Sequence, residues 1–314
     1  MIPLNLRAPS SFAARRLARL LMAAALPLAG LSACGVTPAA DGAFGDGGAG
    51  LADSLPKHAV VLLGEVHDNP DGHRLRTEAM ASALRAGWRP AVAMEQFDRE
   101  RQPALDEAMQ SCRDAACVID LASPGKSGWN WAYYQPVIEL ALQYRLPLLA
   151  VNLSRADAGR AMREGLGAVF TPEELLGMGL RDGPPPDLLK RQVDEVAEAH
   201  CGMLPASLQQ GMAVAQIARD ATMAWLIRRA VTPGRPLVLL AGNGHVRKDQ
   251  GVPRWLPEKG ILAVGYTEQP APRGEYDRNV VVPAAQRPDP CKTLGPATFK
   301  KTPSPAAPAK SPQK

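Results

Sequence analysis

Residues 61–68 read VLLGEVHD, and residues 237–245 read LVLLAGNGH. Each is an apolar run of strand length that closes in Gly-x-x-His. Polar side chains stand behind each run: Glu65, His67 and Asp68 in the first, Asn243 and His245 in the second. Short, continuously apolar runs suit strands covered on both faces of a parallel sheet. In such sheets ligands bind beyond the carboxyl ends of the strands, which is where these polar residues fall. The chain has only five histidines in 314 residues, so two at equivalent places after a strand set the frame for the rest.

Outward from this pair, the same strand type recurs. His58–Gly64, Pro90–Glu95, Leu146–Asn152, Leu237–Gly242 and Ile261–Tyr266 are apolar and bounded by Gly or Pro. Helical patterns lie between them, over Gly72–Ala86, Arg99–Gln110, Trp131–Tyr144, Arg155–Gly165, Asp187–His200 and Gln209–Val231. Thr171-Pro172-Glu173-Glu174 adds a helix start, with a capping Thr, Pro in the first turn and an acid three residues on. Strand–helix alternation predicts an α/β fold with a mostly parallel sheet and helices on both faces. The stretch from about 154 to 233 is purely helical and reads as an insert over the sheet.

The ends read differently from the body. Arg7, Arg15, Arg16 and Arg19 precede a short Leu/Ala-rich core, and Leu31-Ser32-Ala33-Cys34 follows. This is the layout of a secretory signal, too short to span a bilayer as a stable helix. Its ending resembles a lipoprotein box, in which Cys34 is lipidated and becomes the new N-terminus. The expectation is a signal over 1–33, a Gly/Ala-rich flexible tether over 34–52, one domain over 53–285, and a disordered Pro/Lys-rich tail over 286–314.

Charge divides the same way. Of 36 Lys+Arg and 31 Asp+Glu, four arginines lie in the leader, and six basic residues with one acid lie after residue 285. The body therefore holds 26 basic against 30 acidic residues, a net charge of −4. That balance argues against a nucleic-acid partner. With Cys34 assigned to lipid, Cys112, Cys117, Cys201 and Cys291 remain. An even remainder in an exported protein suggests disulfides. SCRDAAC (111–117) could close a small loop and leave Cys201 with Cys291, yet three pairings are open.

Four strand ends supply chemistry: Glu65, His67 and Asp68; Glu95 and Gln96; Asn152; Asn243 and His245. Two imidazoles and two carboxylates on one rim suit a divalent metal, with Glu65, His67 and His245 as ligands. They equally suit general acid–base work, with Glu65 or Glu95 orienting a histidine. The glycines before His245 are read as letting the backbone turn tightly. Arg219 and Asp220, mid-helix in QIARDATMAW, read either as a buried pair bracing the helix or as support beneath the histidines. His58 and His73 are assigned surface roles.

GEVHDNPDGH, AMEQFDR, GWNWAYYQPVIELALQYRLPLLAVNLSR, AHCGM, QIARDATMAW and LLAGNGHVR, in this order over about 58–266, resemble the ChaN-like haem-binding lipoprotein family. That family sits in a wider superfamily with the Tiki/TraB metalloproteases and erythromycin esterases. The resemblance implies an α/β fold with both Gly-x-x-His stretches facing one pocket. It implies haem binding in iron uptake, a tyrosine iron ligand, and two haems sandwiched in a homodimer. WNWAYYQP is the matching stretch, with Tyr134 preferred over Tyr133 and with Trp129 and Trp131 as aromatic cover; His200 and Met203 are further candidates. Tyrosinate is an established haem-iron ligand. The hydrolytic relatives imply instead that Glu65, His67, Glu95 and His245 bind metal or act on an ester or peptide. With the lipoprotein-like leader, the expected location is the bacterial outer membrane, facing the periplasm or the cell surface.

Overall fold

The computed structural model describes residues 50–125, 128–257 and 259–293. The expected signal, Cys34, the tether up to residue 49 and the tail beyond 293 lie outside the described residues. Among the described residues, six strands form one sheet: β1 (Val60–Leu63), β2 (Ala91–Asp98), β3 (Leu148–Asn152), β4 (Leu237–Leu240), β5 (Ile261–Thr267) and β6 (Arg278–Val281). Their order is β3-β2-β4-β1-β5-β6, and every neighbouring pair is parallel. β1 and β4, the two strands that carry Gly-x-x-His, are therefore adjacent at the centre. The sixth strand was not expected. RNVV is short and buries only Val280, so it carries no clear strand signal and is placed by pairing with β5.

The helices are α1 (Leu51–Ser54), α2 (Pro70–Arg85), α3 (Gln102–Ser111), α4 (Ala115–Ala122), α5 (Gln135–Tyr144), α6 (Arg155–Glu164), α7 (Pro172–Met178), α8 (Pro186–Ala199), α9 (Ala206–Ala230), α10 (Asn243–Val246) and α11 (Pro290–Thr293). Side chains alternate across the sheet. Val61, Leu63, Met94 and Leu240 join one apolar cluster with α2 residues Met80 and Leu84 and α5 residues Val137 and Ile138. Val60, Leu62, Ala93 and Leu239 join a second with Met223, Ala224 and Ile227 of α9. The expected two-sided layering is present.

The helical insert holds α6 to α9, and its last helix is more than a cap. At i, i+4, i+7, i+8 and i+11 spacing, Gln216, Asp220, Met223, Ala224 and Ile227 share one face of α9. The C-terminal part of that face packs under the sheet. Its earlier part passes the strand ends, where Gln216 and Arg219 line a cleft. The Thr171–Glu174 start is a full capping box on α7. The helix expected over Trp131–Tyr144 begins later: Trp131–Tyr133 is a 3-10 turn, and α5 starts at Gln135.

Candidate functional site

The two Gly-x-x-His stretches interlock. A Cβ at Gly64 would fall 2.2 Å from Asn243 Oδ1 and 2.8 Å from Val246 Cγ2. A Cβ at Gly242 would fall 2.8 Å from Cε1 and 3.1 Å from Nε2 of His67. Each glycine thus makes room for a side chain of the other motif. This corrects the tight-turn expectation: Gly242 has φ −57° and ψ 150°, which any residue can adopt. The Asn243 amide donates to Glu65 O at 2.8 Å and fixes the two segments together.

Glu65 ends β1 in a buried network on the α2 side of the sheet. Arg76 of α2, fully buried, donates to Glu65 Oε2. The Tyr134 hydroxyl donates to Oε1 at 2.5 Å, and His67 Nδ1 lies 2.9 Å from the same oxygen. Burial alone would raise the Glu65 pKa, but the Arg76 charge, the His67 hydrogen bond and the His73 charge outweigh it and hold the carboxyl well below its usual range. Burial pushes the Tyr134 hydroxyl up, and the adjacent Glu65 charge adds to the shift. His73, assigned to the surface from sequence, is buried. Arg76 Nη2 meets its Nδ1 at 3.1 Å, and its Nε2 lies 3.1 Å from His67 O. Since an arginine only donates, Nδ1 accepts and Nε2 carries the proton. Burial, then the Arg76 charge, lowers the His73 pKa to about 4.

A second network lies on the α9 side. His245 Nδ1 is 2.6 Å from Asp220 Oδ1, and its Nε2 is 3.3 Å from Glu95 Oε1; Glu95 Oε2 accepts from Gly242 N at 2.8 Å. Burial works against charge on His245, yet the two carboxylates outweigh it and raise its pKa to about 10. Burial pushes Asp220 up to about 6 against the pull of the His245 charge. Asp220 thus supports a strand-end histidine, one of its two expected roles. Arg219 instead ties α9 to the end of β3. Its Nη1 donates to Asn152 Oδ1 at 2.5 Å and to Leu153 O at 2.8 Å. Successive residues of β2 point to opposite faces, so Glu95 reaches His245 while Gln96 approaches Glu65 at 3.5 Å, and the register with β3 jumps in the same stretch, between Met94 and Asp98. Bulges of this kind re-aim side chains at functional edges.

Between the networks opens a cleft of about 710 Å³, lined among others by His67, Glu95, Gln96, Trp129, Asn152 and His245. The His67 side chain is 52% exposed. Burial lowers its pKa, but the Glu65 hydrogen bond and the Glu95 charge outweigh that and raise it. With Nδ1 held by Glu65, Nε2 is the nitrogen left for a proton or a ligand. Trp129 meets the imidazole edge-on at 5.1 Å. A smaller apolar groove of about 250 Å³ includes His73, Tyr133, Ala132 and Pro136, and Tyr133 stacks on His73 at 4.7 Å.

The other expected residues distribute as follows. Tyr134 is fully buried and committed to Glu65, whereas Tyr133 is half-buried at the groove. Trp131 packs on Phe97 at 5.2 Å. His200 and Met203 lie near the end of α8 and line neither cavity; His200 Nδ1 meets Val196 O at 2.7 Å. Asp68, exposed, pairs with Arg287 at 2.7 Å. His58 meets Ser54 O at 3.0 Å. The cysteines join as Cys112–Cys117 and Cys201–Cys291. The metal set Glu65, His67 and His245 is not assembled: among the described residues no group of three His, Cys, Asp or Glu is placed to hold an ion. Both Glu65 oxygens and both His245 nitrogens are already engaged. Arg76 was missed, although an arginine three residues after His73, on the helix face that continues as Ala79, Met80 and Ala83, is a readable sign of a buried charge.

A sequence profile described as haem-binding uptake, Tiki superfamily, ChaN, matches residues 51–256. The chain belongs to this family. Among solved structures, ChaN of Campylobacter jejuni, with cofacially bound haem, is similar to it at 20% identity and a TM-score of 0.60, covering 73% of this chain and 89% of that one. A mutant of the erythromycin esterase EreC in its open conformation is 13% identical with a TM-score of 0.43, covering 69% of this chain and 71% of that one. Comparison with curated proteins yields no match. At 20% identity, the likeness to the ChaN structure speaks for the fold alone.

Proposed function

We propose that this ChaN-family protein is a lipid-anchored haem-binding protein of haem and iron uptake, held to the bacterial outer membrane through Cys34. Membership of the haem-binding uptake family carries the reading. The residues present suit the group. A ligand with an available atom stands at each cavity, Tyr133 at the groove and His67 at the cleft, and Trp129 offers an aromatic face. Haem, when bound, supplies ferric iron that accepts a phenolate or imidazole ligand. Tyr133 is the better tyrosine, because the Tyr134 hydroxyl would have to leave a buried carboxylate to reach iron. The haem-bridged homodimer expected from the resemblance remains part of the proposal. In the test, Tyr133→Phe alters the Soret band and weakens haem uptake, while Tyr134→Phe retains uptake. The reverse pattern would return the ligand to Tyr134, and unchanged spectra in both would remove tyrosine from the account. Cys34→Ala moves the protein from the membrane to the soluble fraction if the anchor is right.

A hydrolytic reading is favoured by one observation: an exposed imidazole is oriented by a buried carboxylate into a cleft, as a general base would be. His67 is the residue that fits; His245, bonded on both nitrogens, serves as a fixed cation. Turnover of an activated ester that disappears in His67→Ala would support this reading, and equal turnover in both proteins would remove it.

A further inference from the structure

Three arginines converge on the strand-end cleft from three different elements: Arg101 after β2, Arg155 at the start of α6 and Arg219 on α9. Elsewhere some arginines of this protein meet several carboxylates at once. Arg247 has Glu195, Asp249 and Glu275, and Arg287 has Asp68 and Glu268. Around the cleft the pattern breaks: among the described residues none of the three forms an ion pair. Arg101 is anchored by backbone alone, with Nε on Ala122 O at 3.1 Å and Nη2 on Leu121 O at 2.8 Å. Arg219 uses only Nη1, on the neutral acceptors Asn152 Oδ1 and Leu153 O, which leaves Nε and Nη2. Arg155 is exposed. The acids in the cleft do not take up these donors. Glu95 is committed to His245 and Gly242, and Asp98 forms no ion pair with them.

Clustered guanidiniums repel one another, and burying one without a counter-charge is costly. Burial lowers the Arg219 pKa, and the charges of Glu95, Asp98 and Asp220, which pull the other way, do not fully offset it. A planar fork of donors matches a carboxylate, which accepts two parallel bonds from one guanidinium.

We propose that Arg101, Arg155 and Arg219 hold the carboxylates of an organic acid in this cleft. Two sources present that chemistry: the two propionates of haem, or a free small carboxylic acid. In its haem form the inference rests on the haem-binding reading; in its free-acid form it stands without it.

The test compares wild type with Arg155→Gln/Arg219→Gln, using ferric haem, ferric haem dimethyl ester and succinate as probes. Arg155→Gln alone repeats the comparison at an exposed position, in case the Arg219 change weakens the fold. If propionates are the ligand, haem affinity falls by about tenfold or more in the variant, while the ester, which has no carboxylate, binds both proteins alike. If a free acid is the ligand, haem affinity is unchanged, and succinate raises the melting temperature of wild type but not of the variant. The proposal is overturned if haem and ester lose affinity in parallel, or if haem affinity is unchanged and succinate shifts both proteins equally or neither. Absence of saturable haem uptake by wild type would end the haem reading, and the succinate comparison would still decide the arginine site.

Discussion

Two buried side chains set the electrostatics of the rim. Glu65 faces Arg76 with both fully buried, so Glu65→Gln strands a guanidinium in the core. Removing one partner of such a pair costs about 3–5 kcal/mol, a loss measurable by urea unfolding; a cost under about 1 kcal/mol would contradict the burial of that pair. His245 works in the opposite pH direction. Its pKa rises from 6.5 unfolded to about 10 folded, so its contribution is fully present below 6.5, declines across that interval and is gone above 10. Between pH 7 and 10, stability should therefore fall in wild type and fall less in His245→Gln. Equal slopes would deny the cation between Glu95 and Asp220. His67, Glu95 and His245 were legible in the sequence because each follows an apolar run directly. For His73 and Arg76 the one sign was their place on the apolar face of α2, because a polar residue on a helix reads as solvent-facing unless its partner, here a carboxylate at a strand end, is already placed.

At the scale of elements, the repeated Gly-x-x-His is a device for packing two strand ends against each other. Gly64→Ala sets a methyl group against Asn243 and Val246 and should cost about 1–3 kcal/mol by overpacking. Gly242→Ala should displace His67 and weaken ligand binding in the cleft. Gly244 has nothing within 4 Å of its added Cβ, so Gly244→Ala should stay within about 0.5 kcal/mol of wild type. Thermal melts of the three variants check the order, and a destabilised Gly244→Ala beside a stable Gly64→Ala would refute the interlock. The five apolar strands and most helices were readable from period and caps. The bulge in β2 was not, since it appears only in the pairing with β3. The start of α5 was misread because aromatics at helical spacing occupy a 3-10 turn instead, which turns Tyr134 inward and leaves Tyr133 at the groove.

At the scale of the molecule, α9 links the helical insert to the sheet, and two disulfides fasten loops of very different span. Cys112–Cys117 closes a separation of 5 residues and Cys201–Cys291 one of 90. In the chain-entropy account the longer loop contributes more, about 4–5 kcal/mol against about 2. Replacing Cys201 and Cys291 by serine should therefore lower the urea midpoint further than replacing Cys112 and Cys117, and the opposite order would contradict this account. The body's net charge of −4 was legible by count. The arginines gathered at the cleft were not, because Arg101, Arg155 and Arg219 lie on three elements that only the folded chain brings together. What unites the scales is a ligand rim at the ends of β1, β2, β3 and β4 in a haem-binding family. Titration of the purified protein with ferric haem, followed at the Soret band, tests this most directly. The account predicts a saturable shift that ends at a fixed ratio of haem to chain; a signal that grows linearly with added haem, as free haem gives, would contradict it.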